Sequence, residues 1–539
     1  MGANASHDER PGSGWLLVLV VALVVGIFFR FYNIDRKVYW DDEIFSSLHI
    51  LGYTEAGIVR DAPRIVDGKG LRAVLHPDPS TALSGVSATL DSLASEDPQH
   101  SPLYYVAGHF WVQLFGSSVA TIRTLSAVAG VIALPAMFWL CLELFSSSVA
   151  ACMGTALLAI SPFAVLYSQE AREYSFWTVA ILLMSASFLR AVRTGTTWAW
   201  ALYAASFTFG LYIFPLSGFI ALGQAAFLFA TRGSLAKQTR YRASLAYAAG
   251  LVLFAPWFVL VAEHLRQAYR SMATVTTTKI PPVHIAGLFL AMVRLDTLDL
   301  NSTRHAVLIS LPVLLSIVYA LYVVKRYGRA KAWLFIAMTM LCCTLPLVFA
   351  DLAFSGQRTD NPRYFLPLYL GIDLAITGLF LTKIVNAPAS VASSRAWRLA
   401  FVCILVVRLY SCAASSQAET WWNKREQQSI AVARAINRAP HPIILGDDYI
   451  EWALSLANYL RPDVGVALNP RCFLCSDSTG TTADLRTIEP PNDYRAIFLL
   501  APSAVLQDRV KDVMRARGVG AVYRCIDVRS NCSSRLSLW

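Results

Sequence analysis

The chain has 539 residues, of which 56% are hydrophobic and only 15% charged, with a mean hydropathy of +0.49. Soluble domains carry about 25% charged residues, so this composition excludes an ordinary soluble protein. The net charge of +11 could indicate nucleic-acid binding. However, Lys and Arg are scattered over short loops between apolar runs, which is typical of membrane topology signals. The composition predicts a polytopic α-helical membrane protein that binds no nucleic acid.

Eleven apolar runs are predicted to span the membrane. In chain order they are residues 14–33, 121–144, 150–167, 174–192, 198–214, 216–231, 243–262, 306–324, 333–350, 365–382 and 397–413. A shorter aromatic-rich run, residues 102–116, is predicted to be a helix in the membrane interface. The spans define a transmembrane domain over residues 1–413, with long loops at 34–120 and 263–305.

Basic residues assign the sides of the membrane. The short loops of one parity hold thirteen Lys and Arg residues: Arg190, Arg193, Arg232, Lys237, Arg240, Arg242, Lys325, Arg326, Arg329, Lys331, Lys383, Arg395 and Arg398. The short loops of the other parity hold three, namely Arg172, Arg358 and Arg363. The positive-inside rule places the first set in the cytoplasm. Both long loops and the C-terminal tail are then external.

The tail, residues 414–539, alternates strand-like runs such as PIILGDD with amphipathic stretches such as YIEWALSLANYL. This alternation predicts a small extracytoplasmic α/β domain. It contains Cys472, Cys475, Cys525 and Cys532, which in an oxidising compartment favour disulfides, within 472/475 and 525/532. A zinc site and a CxxC redox pair are alternatives, although no strand–CxxC–helix context surrounds RCFLCSDSTG.

Three consecutive acids, Asp41, Asp42 and Glu43, follow the first span in the sequence VYWDDEIF. Acids beside an external helix end can simply be solvated. Here aromatic and branched residues surround them, and a carboxylate in an apolar setting is costly unless it has a partner or a task.

Other polar candidates fall on the same predicted external face. They lie in SEDPQHSPLYY, SQEAREYSFW, TTTKIPPVH and TDNPRYFLP, and they are His100, Arg172, Tyr174, Lys279, Arg363 and Tyr364. Each has an ordinary reading: a histidine can end a loop, and lone arginines at helix ends are usually snorkelling anchors. Together, a carboxylate base, cationic groups and tyrosine hydroxyls are the side chains that a phosphate-linked sugar lipid requires.

Four motifs in order, W-x-D-E, H-x-P-L-Y-Y, S-Q-E-A-R-x-Y and P-R-Y-F-L-P, resemble those of the GT-C glycosyltransferases. The closest group is the protein O-mannosyltransferase and aminoarabinose-transferase-like (dolichyl-phosphate-mannose-type) superfamily. The resemblance covers the transmembrane domain. It implies a GT-C fold, a polyprenyl-phosphate-linked sugar donor, a lipid, glycan or protein acceptor on the extracytoplasmic side, and inversion at the anomeric carbon.

Carried over by position, the resemblance makes Asp42 the essential acid, with Glu43 as its neighbour and Asp41 as an extra acid. It assigns substrate or phosphate binding to His100, Arg172, Tyr174, Arg363 and Tyr364. Two positions depart from the family pattern. Ser101 replaces a proline, and Phe214 stands where many relatives carry a histidine.

The expected mechanism is deprotonation of an acceptor hydroxyl by Asp42, with cations stabilising the lipid phosphate. Lys279 is a further candidate cation. A divalent metal held by Asp41, Asp42 and Glu43 is an alternative, but consecutive residues cannot easily face one ion, so no required cofactor is expected.

Two other functions remain open: a transporter or flippase for polyprenyl-linked lipids, and a non-catalytic assembly partner. Against transport, the predicted spans carry few ionisable residues. The expected location is a bacterial inner membrane, with the site on the periplasmic face.

Overall fold

The computed structural model describes residues 13–61, 65–77, 85–272, 281–299, 306–329, 331–354, 356–386, 390–421, 429–474, 494, 496–516 and 523–526. Its helices are α1 (Ser13–Phe31), α2 (Asp41–Leu51), α3 (Glu55–Asp61), α4 (Gly68–Leu75), α5 (Val86–Glu96), α6 (Leu103–Phe115), α7 (Val119–Phe145), α8 (Ser148–Ala159), α9 (Pro162–Ser168), α10 (Tyr174–Thr194), α11 (Thr197–Ile213), α12 (Ser217–Thr231), α13 (Lys237–Glu263), α14 (Leu265–Ser271), α15 (Pro282–Val293), α16 (Ala306–Tyr327), α17 (Ala332–Phe354), α18 (Leu366–Leu381), α19 (Val391–Gln417), α20 (Ser429–Asn437), α21 (Ile450–Ala457) and α22 (Ala504–Ala516). The strands are β1 (Ile65–Asp67), β2 (Pro442–Gly446), β3 (Gly465–Leu468), β4 (Ala496–Leu500) and β5 (Tyr523–Ile526).

Within these ranges, eight helices are long and apolar enough to cross a membrane, and the bent pair α8–α9 would make a ninth. The predicted polytopic membrane fold is therefore confirmed. The two other predicted spans, 198–214 and 216–231, are the shorter helices α11 and α12, of 17 and 15 residues. All eleven predicted segments are helical.

The break between α8 and α9 bends the chain by 59°. Pro162, the first residue of α9, has no N–H to continue the α8 ladder, and the Ser161 hydroxyl accepts from the Ala164 N–H at 3.1 Å. The carbonyls that α8 leaves open are met by buried Arg30 of α1, which donates to Ala159 O at 2.6 Å and Leu158 O at 3.2 Å. The polar backbone groups at the break are thus hydrogen-bonded inside the bundle. The chain that leaves α9 forms the turn that carries Arg172.

Within the predicted run 102–116, Leu103–Phe115 form the separate 13-residue helix α6, which is too short to cross a bilayer. Phe110, Leu114 and Phe115 on this helix are 52%, 75% and 59% exposed. An exposed apolar face on a short helix is typical of a helix in the membrane interface. The structure contains no bilayer, so that location stays a prediction.

The tail contributes four strands to a five-stranded sheet in the order β1-β3-β2-β4-β5. Strands β3, β2, β4 and β5 are parallel neighbours. Strand β1 comes from the first external loop and pairs antiparallel with β3. The sheet is therefore shared between two regions that are far apart in sequence, and it fixes the first external loop to the C-terminal region.

The four C-terminal cysteines are only partly within the described residues. Cys472 is disulfide-bonded. Cys525 lies on β5, and its side chain is not described. Cys475 and Cys532 lie outside the described residues, so the predicted pairings stay predictions.

One buried ion cluster inside the bundle was not foreseen. Arg408 of α19 lies 2.7 Å from Asp373 of α18 and 2.6 Å from Asp296, which belongs to the second long external loop. All three side chains are almost fully buried. The cluster attaches that loop to the bundle, and it corrects the expectation that the spans carry few interior charges.

Glu55 of α3 connects the first external loop to the C-terminal region. Its carboxylate accepts from the backbone N–H groups of Phe473 and Leu474, both at 2.7 Å. Glu96 caps the start of α3, accepting from the Glu55 N–H at 2.7 Å, and Gln267 of α14 donates to Glu96 O at 3.1 Å. The first long loop, α14 and the C-terminal region are therefore joined around Glu55 and Glu96.

This junction predicts a pH dependence of stability. Burial raises the pKa of Glu55 to about 7, although its two backbone N–H partners oppose the shift. The folded chain then binds this proton more tightly than the unfolded chain. Its contribution to stability is present at low pH and is lost as the pH rises through 7. We expect Glu55→Gln to flatten this part of a plot of thermal midpoint against pH. The control Glu419→Gln, at a partly exposed acid of the same region, should keep the wild-type slope.

Candidate active site

Asp41, Asp42 and Glu43 form the first turn of α2. Acids are favoured there because the helix dipole presents partial positive charge and unpaired N–H groups. Successive residues of a helix point about 100° apart, so the three side chains leave the turn in different directions. Their carboxylates consequently contact different groups.

Glu43 points into the bundle. Its carboxylate pairs with Arg123 of α7, at 2.8 Å to Nε and 2.6 Å to Nη2, and both side chains are fully buried. It also accepts from the Ala171 N–H at 2.8 Å. Glu43 thus joins α2, α7 and the turn before α10. Both carboxylate oxygens of Glu43 are thus bound inside the bundle, and its predicted catalytic role stays a prediction.

Asp42 is partly exposed and forms an ion pair with Arg363, which precedes α18. The Arg363 guanidinium carbon lies 5.5–5.6 Å from the ring centres of Trp40, Tyr174 and Tyr364. Aromatic faces stabilise a cation at this range. The predicted acid and the predicted late arginine, 321 positions apart in the chain, are therefore direct partners.

Arg172 lies on the other side of Asp42. It donates to the Asp42 carbonyl at 3.3 Å and to the Ser46 hydroxyl at 3.1 Å. Its guanidinium also lies 3.4 Å from His100 Nε2 and 3.3 Å from Glu173. The arginine and histidine that were predicted from separate motifs therefore share one network with the backbone of Asp42.

Two acids that were not predicted complete this network. Glu173 is fully buried and lies 3.2 Å from His100 Nδ1, while Asp97 lies 3.4 Å from Nε2. Burial alone would raise the pKa of Glu173, but Arg172 and His100 outweigh it and lower the pKa to about 2. Burial raises the pKa of Asp97. Glu173 therefore stays ionised, and its carboxylate contacts both Arg172 and His100.

Rings form the wall beside these charges. Phe214, at the end of α11, packs against Tyr174 at 5.8 Å, Trp177 at 4.7 Å and Tyr364 at 6.1 Å between ring centres. The position where many relatives carry a histidine is thus next to the site. Phenylalanine can bind neither a metal nor a phosphate there, so any such role is absent at this position.

The structure brings together all but one of the predicted binding residues. His100, Arg172, Tyr174, Arg363 and Tyr364 lie around Asp42, whereas Lys279 lies outside the described residues. Sequence reasoning missed Arg123, Glu173 and Asp97. Glu173 and Asp97 belong to the motifs already noted, SQEAREY and SEDPQH. Their closeness in sequence to Arg172 and His100 was the signal that could have identified them.

A metal site is not formed by the residues proposed for it. Within the described ranges, no group of three or more His, Cys, Asp and Glu side chains is arranged to hold a metal ion. Glu43 is directed to Arg123 and Asp42 to Arg363, so these two acids bind different partners.

Residues 99–260 match the model of a family described as dolichyl-phosphate-mannose-protein mannosyltransferase. No curated protein matches the chain. Among solved structures, the chain is similar to ArnT from Cupriavidus metallidurans bound to undecaprenyl phosphate (TM-score 0.52, 14% identity, 84% of this chain and 86% of that chain covered) and in the apo state (TM-score 0.50, 13% identity, 84% and 85% covered). It is also similar to the oligosaccharyltransferase of Archaeoglobus fulgidus (TM-score 0.48, 13% identity, 84% and 65% covered). The ArnT similarity and the family match confirm the predicted GT-C resemblance and fold.

Proposed function

We propose that this membrane protein is a glycosyltransferase that moves a sugar from a polyprenyl-phosphate carrier to an acceptor hydroxyl on the extracytoplasmic face. The observation that carries the proposal is the Asp42–Arg363 ion pair with Arg172 beside it. These groups stand just outside α1, α10 and α18, at one end of a bundle with the GT-C fold. A base and two cations in one place suit transfer from a phosphate-linked donor.

The choice of donor rests on charge and on the comparisons. The matched family is described by a dolichyl-phosphate-mannose donor, and one similar structure has undecaprenyl phosphate bound. Arg363 and Arg172 have the planar guanidinium groups that bind phosphate oxygens in pairs. His100 lies beside Arg172 and would supply a further hydrogen bond to the phosphate.

In the proposed reaction, the Asp42 carboxylate accepts the proton of the acceptor hydroxyl while the hydroxyl oxygen attacks the anomeric carbon. The bond from that carbon to the phosphate oxygen breaks, and the lipid phosphate leaves with the electron pair. A single displacement inverts the anomeric carbon. Arg363 and Arg172 stabilise the charge that develops on the leaving phosphate.

The ion pair between Asp42 and Arg363 suggests an exchange of partners during the reaction. A donor phosphate would compete for the same guanidinium and release the carboxylate toward the acceptor. The base would then be available only when the leaving group is in place, which limits wasteful hydrolysis.

Lipid binding tests the phosphate role of Arg363. We expect Arg363→Gln to weaken binding of undecaprenyl phosphate by about 10–100-fold, because a hydrogen bond to a charged group contributes about 1.5–3 kcal/mol. Native mass spectrometry of the purified protein with added undecaprenyl phosphate would measure it. Arg193→Gln is the control, since this half-exposed arginine lies at the opposite end of α10 and pairs with Glu143. Equal binding by the Arg363 variant and the control would refute the proposed phosphate site.

A further inference from the structure

The chain enters α2 through Val38, Tyr39 and Trp40, and of these only Trp40, the N-cap, takes part in the hydrogen bonds of the helix, through its carbonyl. Val38 and Tyr39 are fully buried and Trp40 is 7% exposed, although they lie outside any regular element. Buried backbone groups must find partners. These hydrogen-bond partners set the position of the chain at the start of α2, the helix that carries Asp42.

The C-terminal region supplies most of these partners. The Val38 N–H donates to Glu419 O at 2.9 Å, and Trp421 Nε1 donates to Val38 O at 2.8 Å. The Tyr39 N–H donates to the Tyr459 hydroxyl at 2.9 Å. Ser455 of α21 donates to Tyr39 O at 2.7 Å. The N–H and C=O groups of residues 38 and 39 are therefore all hydrogen-bonded to residues beyond α19.

Two of these partners, Trp421 and Tyr459, make further contacts of their own. The Trp421 ring is 1% exposed and lies 5.4 Å from Lys37 Nζ and 5.5 Å from the Arg123 guanidinium. Asn437 donates to Tyr459 O at 2.8 Å. The contacts connect the start of α2 to the same arginine that pairs with Glu43.

We infer that the C-terminal α/β region acts as a brace for the catalytic segment, with Trp421, Ser455 and Tyr459 as positioning residues. The region holds residues 38–39 in one conformation, so that α2 presents Asp42 to Arg363. This role in transfer rests on the proposed function, whereas the bracing itself is a property of the fold.

Hydrogen exchange tests the bracing without any substrate. In Tyr459→Phe the Tyr39 N–H loses its acceptor. We expect peptides covering residues 37–45 to exchange about tenfold faster or more, since about 1.4 kcal/mol corresponds to a factor of ten. Tyr449→Phe removes a hydroxyl from the same region and is the matched control. Unchanged exchange in these peptides would overturn the inference.

Kinetics test the consequence for Asp42. With a panel of undecaprenyl-phosphate-linked sugars as donors and bacterial membranes as acceptor source, we expect Tyr459→Phe and Trp421→Phe to lower kcat by about 10–100-fold, because a misplacement of about 1 Å can cost on the order of 100-fold. The donor KM should stay within about twofold, as the phosphate ligands are intact. A purely structural role would reduce active enzyme and thermal midpoint together, and that result would contradict positioning. If the wild type transfers no sugar, the proposed function fails, while the exchange result still decides the bracing.

Discussion

Asp42→Asn is expected to lower the rate of sugar transfer by about 100- to 10,000-fold, the range that a general base contributes. The amide cannot accept the proton of the attacking hydroxyl, although it has nearly the same shape. Glu43, the adjacent acid, cannot take over, because Arg123 and the Ala171 N–H bind its carboxylate in the bundle.

The measurement is release of undecaprenyl phosphate from a panel of undecaprenyl-phosphate-linked sugars, with purified protein in lipid nanodiscs. Asp41→Asn is the matched control, as it removes the neighbouring acid of the same helical turn, and its rate should stay within a few-fold of wild type. Asp42→Asn should still bind undecaprenyl phosphate, because Arg172 and Arg363 remain. Full activity in the Asp42 variant would refute its role as base.

Glu43→Gln is expected to reduce the free energy of unfolding by about 3–5 kcal/mol, since it leaves the buried Arg123 cation without its counter-charge. The loss would be seen as a large fall in thermal midpoint in detergent. Glu143→Gln is the control. Glu143 pairs with Arg190 and Arg193, whose side chains are 49% and 50% exposed, so water can solvate them and the loss should stay below about 1 kcal/mol.

A double-mutant cycle separates positioning from chemistry. Removing both charges with Glu43→Leu and Arg123→Met should recover part of the lost stability, because no buried charge then lacks a partner. Transfer should remain low, since α2 loses its bonds to α7 and to the turn before α10. A double variant that is stable and fully active would show that Glu43 does not position Asp42.

Much of this site could be predicted because its residues belong to short motifs that are contiguous in the sequence. Apolar runs located the helices, loop charges predicted their sides, and the motifs between the helices led to Asp42, Arg172 and Arg363. Local patterns did not distinguish the roles of adjacent acids. The helical turn points Asp42 and Glu43 in different directions, and the partner that Glu43 meets, Arg123, lies 80 residues later in the chain.

Long-range features were the ones missed. Strand β1 is three residues long, and its pairing with β3 crosses some 400 positions, so no periodicity indicates it. In the sequence, Arg408 is a single charged residue within an apolar span. Only the fold shows that Asp296 and Asp373 pair with it. Such partners come from tertiary packing and leave no local trace.

The most direct test of the site is a density map of the protein with undecaprenyl phosphate bound. The proposed function predicts a phosphate between the 41–43 turn and the guanidinium groups of Arg172 and Arg363, with the Asp42–Arg363 ion pair opened. A lipid phosphate bound elsewhere, with that ion pair intact, would contradict it.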